Sequence, residues 1–127
     1  MTPQQLKDYC PNFSIREVLD TGSQLRDIDA TTMFNVQKVR SRLGVPIKLT
    51  SIIRGGDKGQ HPLGKAVDFK VLDEHYASNP NKVVQVMLDC GFRGIGVYSW
   101  GFHGDTRLEF KMWKRVKGIY LPLVEWP

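Results

Sequence analysis

Two histidines and an aspartate have the types and surroundings of zinc ligands: His61 and Asp68 in the run Gln-His-Pro-Leu-Gly-Lys-Ala-Val-Asp-Phe (60–69), and His103 downstream. A zinc ion that does chemistry takes three imidazole or carboxylate ligands and keeps a fourth position open for water, and these three side chains can supply them. The small residues between the first two serve the same end. Gly64 permits a tight turn and Ala66 leaves space beside Asp68, so a loop can bring His61 back over the strand that carries Asp68. Each residue also has an ordinary reading, an Asp on a solvated strand face or a His in a polar turn. The constellation as a whole is what favours the metal.

The elements that must position these residues are legible in the hydrophobic pattern. In Ala66-Val67-Asp68-Phe69-Lys70-Val71, residues Val67, Phe69 and Val71 alternate onto one face and Asp68 onto the other, which predicts a strand whose carboxylate faces an open side. After an irregular entry segment, Met33, Val36, Val39 and Leu43 fall near helical spacing between Asp29 and Leu43, with Asp29 or Thr31 as cap and Gly44 as stop. Pro46 to Arg54 reads as a strand and Gly55-Gly56-Asp57-Lys58-Gly59 as a loop. The Walker pattern is absent from that loop, which argues against a phosphate cradle. A second helix opens at Asn79-Pro80, carries Val83, Val84, Met87 and Leu88 inward and ends at Gly91; His75 falls in the loop before it. Strands follow around Ile95 to Tyr98 and His103 to Phe110, with Gly118 to Val124 as a further candidate. The expected fold class is α+β: a small, mainly antiparallel sheet in one domain (1–127), with helices packed on one face and the zinc site on the other.

The motif His-x-x-Gly-x-Ala-x-Asp, followed by a second His in an aromatic-rich strand, resembles the zinc D-alanyl-D-alanine peptidases, a family of carboxypeptidases and phage endolysins. Its residues here are His61, Gly64, Ala66, Asp68 and His103. Upstream, Leu49 to Arg54 is similar to the family strand that ends in an Arg facing substrate. Downstream, Gly94-Ile95-Gly96-Val97-Tyr98 and His103-Gly104-Asp105-Thr106-Arg107 resemble the Gly-x-Gly-x-Tyr and His-x-Asp-x-Arg segments of one branch, and Asn12 to Glu17 fits that branch's beginning. The resemblance implies a Zn2+-dependent peptidase that cleaves peptidoglycan stem peptides, as a D-Ala-D-Ala carboxypeptidase or an L-Ala to D-amino-acid endopeptidase. It implies substrate contact by Arg54 and Gln60; for Arg54 an ion pair with Asp57 is the ordinary alternative.

The chain departs from the better-known members at the general base. A Glu or Asp stands there three residues before the second His, and this chain has Trp100. In an extended segment His103, Asp105, Arg107 and Glu109 share a face, so Asp105 is the candidate catalytic carboxylate and Glu109 a weaker one. Asp105 has two further readings, supporting a ligand histidine or pairing with Arg107. Tyr98 and Trp100 either line the cleft or pack. The departure motivates a second hypothesis, a non-catalytic zinc-stabilised domain that binds wall peptide or belongs to a phage particle.

Composition is compatible with both. At 127 residues, 41% hydrophobic and 24% charged, the chain can bury a core without staples. No stretch is long and apolar enough to span a bilayer, and the first residues lack the apolar core of a secretory signal. Synthesis in the cytoplasm without membrane insertion is therefore expected; the resemblance adds action on the wall after release and a phage or prophage origin, and a monomer is expected. The net charge of +5 suits an acidic wall as well as nucleic acid. Lys111 to Lys117 interleaves Trp113 with cations, but no nucleic-acid motif accompanies it and a solvated strand or loop is expected. Cys10 and Cys90 are too far apart in sequence for a metal-binding pair and are expected to be reduced, with Cys90 in the core.

Overall fold

Among the residues described by the computed structural model, 1–53, 63–116 and 119–122, six strands form one sheet. They are β1 (Ile47–Ser51), β2 (Ala66–Val71), β3 (Gly94–Val97), β4 (Phe102–Asp105), β5 (Lys111–Val116) and β6 (Ile119–Pro122). Their spatial order is β1-β2-β4-β3-β5-β6, and every neighbouring pair is antiparallel except β3 with β5. The fold is α+β, and the sheet is mainly antiparallel as the pattern predicts.

The alternation in β2 sets the two faces. Val67, Phe69 and Val71 enter a core with Ile95 and Val97 of β3, Phe102 of β4 and Met112 of β5, and the rings of Phe69 and Phe102 stack with centroids 5.8 Å apart. Helix α3 (Ala30–Leu43) closes that core with Met33, Val36, Val39 and Leu43; α5 (Pro80–Asp89) does so with Val83, Val84 and Met87. Each such side chain stabilises the fold by about 1.5–3 kcal/mol through removal of apolar surface from water. Both helix ends follow from their caps. The Asp29 carboxylate accepts from the Thr31 backbone N–H at 2.8 Å, and Gly44 ends α3 with a left-handed φ of 70°.

Four expectations about elements need correction. The entry segment is not irregular: α1 (Pro3–Tyr9) starts in a Thr2–Gln5 capping box and α2 (Ile15–Asp20) on the Ser14 side chain. Each buries a single residue, Leu6 or Val18, so no apolar period repeats in the sequence. His75 lies in a short helix, α4 (Glu74–Ala77), and is exposed there. Strand β1 stops at Ser51 after an irregularity in its pairing with β2; Arg54 and residues 55–59 lie outside the described residues. The single strand expected from His103 to Phe110 ends at Asp105, because the Asp105 carboxylate accepts from the Arg107 backbone N–H at 3.1 Å and turns the chain. The chain then crosses to the far side of β3, where Lys111 begins β5 in parallel register, Gly94 opposite Lys111 and Gly96 opposite Trp113.

The basic run from Lys111 is thus strand through Val116. The further strand expected over 118–124 is present as β6; Gly118, Leu123 and Val124 lie outside the described residues. Cys10 and Cys90 are both buried free thiols.

Candidate functional site

Strand register brings the predicted residues together. On the face opposite the helices, Ser51, Asp68, His103, Gly96 and Trp113 occupy successive strands as direct cross-strand neighbours. Asp68 and His103, thirty-five residues apart in sequence, therefore meet side by side, with His103 Nδ1 3.0 Å from Asp68 Oδ1. The other ring nitrogen, Nε2, lies 2.7 Å from Asp105 Oδ2. Asp105 is two residues along the same strand and so projects from the same face. The expectation that Asp68 faces an open side is not met: it is 3% exposed, packed in a polar layer with His103 at 6% and Asp105 at 0%.

That layer is held by paired charges. Arg107 grips Asp105 twice, Nε to Oδ1 at 2.7 Å and Nη2 to Oδ2 at 2.6 Å, a bidentate fork on a fully buried carboxylate. Burial works to raise the Asp105 pKa, but the hydrogen bonds from His103 and Arg107 outweigh it and hold the group well below the usual carboxylate range. For His103 burial acts to lower the pKa, and the two flanking carboxylates more than reverse it. Arg107 is raised by the Asp105 carboxylate.

Two glycines make space for this layer. A Cβ on Gly94 would run into the Asp105 carboxylate and the Arg107 guanidinium, and one on Gly96 would stand 2.5 Å from Trp113 Nε1. With Gly96 bare, the Trp113 indole lies across β3, its centroid 5.0 Å from the His103 ring. Its N–H donates to the Tyr98 hydroxyl at 2.8 Å. The Arg107 guanidinium sits 5.2 Å from the same indole. Tyr98 in turn stacks on Trp100 with planes 3° apart at the turn between β3 and β4, where Trp100 is 40% exposed. Sequence reasoning missed Trp113 as a neighbour of His103, since its strand was not paired with β3. The signal was the Gly94-x-Gly96 spacing, two bare positions on one face of a strand, which calls for a bulky partner alongside.

Asp68 and His103 carry donor atoms of the types that hold zinc. Two donors on a tetrahedral zinc with bonds near 2 Å stand ~3.3 Å apart, close to the separation of Nδ1 and Oδ1 here. An Nε2–H donated to Asp105 would leave Nδ1 unprotonated and able to ligate, as in a carboxylate–histidine–zinc arrangement. The third expected ligand, His61, lies outside the described residues, as do Arg54 and Gln60. Among the described residues no cluster of three His, Cys, Asp or Glu side chains could hold a metal ion. Glu109, the weaker base candidate, is exposed past the end of β4. No helix among the described residues is long and apolar enough to cross a membrane. Comparison of the chain with models of known protein families, with curated proteins and with solved structures found no match to any of them.

Proposed function

We propose that this protein is a zinc-dependent peptidase of peptidoglycan stem peptides, with His61, Asp68 and His103 as metal ligands. The observation that carries the reading is the Asp68–His103 contact across β2 and β4 with Asp105 behind the imidazole. Two donors with a supporting carboxylate, in the order and with the flanking motifs of the zinc D-alanyl-D-alanine peptidases, are what such a site requires. When bound, the zinc supplies an activated water and polarises the scissile carbonyl.

The residues of the chain then have separate tasks. Asp105 holds the imidazole in one tautomer and orientation. Arg107 keeps Asp105 ionised and fixed; its fork and backbone N–H, with His103, occupy both carboxylate oxygens. Asp105 is accordingly a positioning residue in this reading, and not the group that takes the proton from water. Arg54 and Gln60 hold the peptide, Arg54 by a carboxylate. Trp113 walls the site on the β5 side and keeps water off the imidazole. A phage or prophage lysis protein is the setting such a small wall peptidase would suit.

The occupied Asp105, together with the indole of Trp100 at the family's usual base position, favours one second reading: a zinc-stabilised domain that binds stem peptide without cutting it. Mass spectrometry of defined muropeptides after incubation in zinc or in chelator separates the two. Zinc-dependent loss of terminal D-Ala, or a cut inside the stem, supports the peptidase and names the bond. His61→Ala should abolish it. Intact muropeptides with one zinc bound per chain would replace the peptidase by the binding domain.

A further inference from the structure

Past the Asp105 end of the polar layer, the turn between β4 and β5 encloses a cleft of about 630 Å³ between Lys65 and Lys111. Arg107 and Glu109 also line it, with Leu108 at its lip 96% exposed and Phe110 52% exposed. The cleft adjoins the candidate site through shared residues: Arg107 lines it and grips Asp105, and the Lys111 ammonium is 5.9 Å from the Trp113 ring, which itself packs on His103. The Arg93 guanidinium lies 5.9 Å from the Phe110 ring and adds a further cation at the rim. Arg107 is neutralised by Asp105, and among the cleft's described lining residues Lys65 and Lys111 stand against the single acid Glu109, which leaves the lining with a positive excess.

We propose that this cleft is a carboxylate subsite, selecting peptides that carry a free acid on the segment lying beyond the reacting bond over the same acid masked as an amide. The inference rests on the stem-peptide reading of the site and adds a determinant of which stems are taken. Exposed lips of Leu108 and Phe110 cover the aliphatic part of the bound residue, while Lys65 and Lys111 meet its charge from either side. Two partly solvated charge contacts of this kind set the discrimination at about five- to tenfold.

The test is calorimetric titration of the zinc-loaded full chain with a stem peptide whose internal carboxylates are free and with its carboxamide counterpart. The free acid should bind about five- to tenfold more tightly, and the preference should shrink with added salt. It should vanish in the Lys65→Gln/Lys111→Gln double variant and grow in Glu109→Gln, which removes the opposing charge. Equal affinity of wild type for both peptides, a preference untouched by the double variant, or no binding of either peptide overturns the subsite. A parallel hydrolysis assay keeps the two readings apart. Cutting of both peptides at equal affinity leaves the peptidase standing and the subsite lost; a carboxylate preference without cutting leaves the subsite standing and the peptidase lost.

Discussion

Gly96→Ala puts a methyl group into space the structure has already given to Trp113. The added Cβ would lie 2.5 Å from Nε1, 2.7 Å from Cε2 and 3.0 Å from Cζ2 of the indole. Ordinary carbon contact begins near 3.5 Å, so the ring must retreat by roughly 1 Å. It is not free to do so without loss, because its N–H bonds to Tyr98 at 2.8 Å and its face meets His103 and Arg107. Overpacking of this kind costs about 1–3 kcal/mol, and the weakened hydrogen bond adds about 1 kcal/mol. A loss of about 3 kcal/mol is expected, which for a chain of this size lowers Tm by roughly 10 °C. Urea denaturation of Gly96→Ala, Trp113→Ala and the double variant reads the cause. With the indole removed, alanine at 96 has nothing to strike, so its cost should fall below about 0.5 kcal/mol and the coupling should be about 2.5 kcal/mol or more. A Gly96→Ala cost under about 1 kcal/mol, or the same cost with and without the indole, would refute the packing of Trp113 across β3.

Three further outcomes follow from the site and the core. Asp105→Asn keeps the shape of the side chain but removes its charge from between His103 and Arg107, so zinc affinity should drop about 10- to 100-fold in a chelator-competition titration; unchanged affinity would remove Asp105 from the ligand's support. Zinc affinity should also fall on acidification, because protons and metal compete for His103, whose pKa the neighbouring carboxylates hold above its ordinary value. A flat affinity from pH 8 to pH 6 would exclude His103 as a ligand. Burial pushes the Cys10 thiol from 9.0 to about 11. The folded state therefore retains a proton that the unfolded chain releases, and this stabilisation, complete below pH 9, should be lost as pH rises from 9 through 11. By pH 10 the loss is about 1 kcal/mol. Cys10→Ala should not show this part of the alkaline decline, and iodoacetamide at pH 8 should leave Cys10 of the folded protein unmodified.

Much of the frame was legible because it rests on local, repeating signals. The apolar alternation of β2, the helical stripe of α3 with Asp29 and Gly44 at its ends, and Pro80 at the start of α5 are each readable from a few adjacent residues. The two short N-terminal helices were not legible, since one buried residue each makes no period. Asp68, Asp105 and His103 stood out by residue type and motif, and the sequence alone identified them as members of one candidate site.

Which of them touch, and how, was decided only by the tertiary structure. The side chains of Asp68 and His103 meet because the ladder between β2 and β4 sets those two residues opposite each other, and a shift of one residue would have turned one of them into the core. Whether the Asp105 carboxylate meets Arg107 depended on whether β4 continued to Phe110 or stopped. It stops at Asp105, the chain turns, and Arg107 folds back onto the carboxylate. Trp113 joins the site through the parallel pairing of β5 with β3, a contact between segments whose order in space no local pattern records. Residue types and spacing thus determined which chemistry is available to the chain; strand order and register, which depend on packing the whole apolar face at once, determined the geometry in which that chemistry is held.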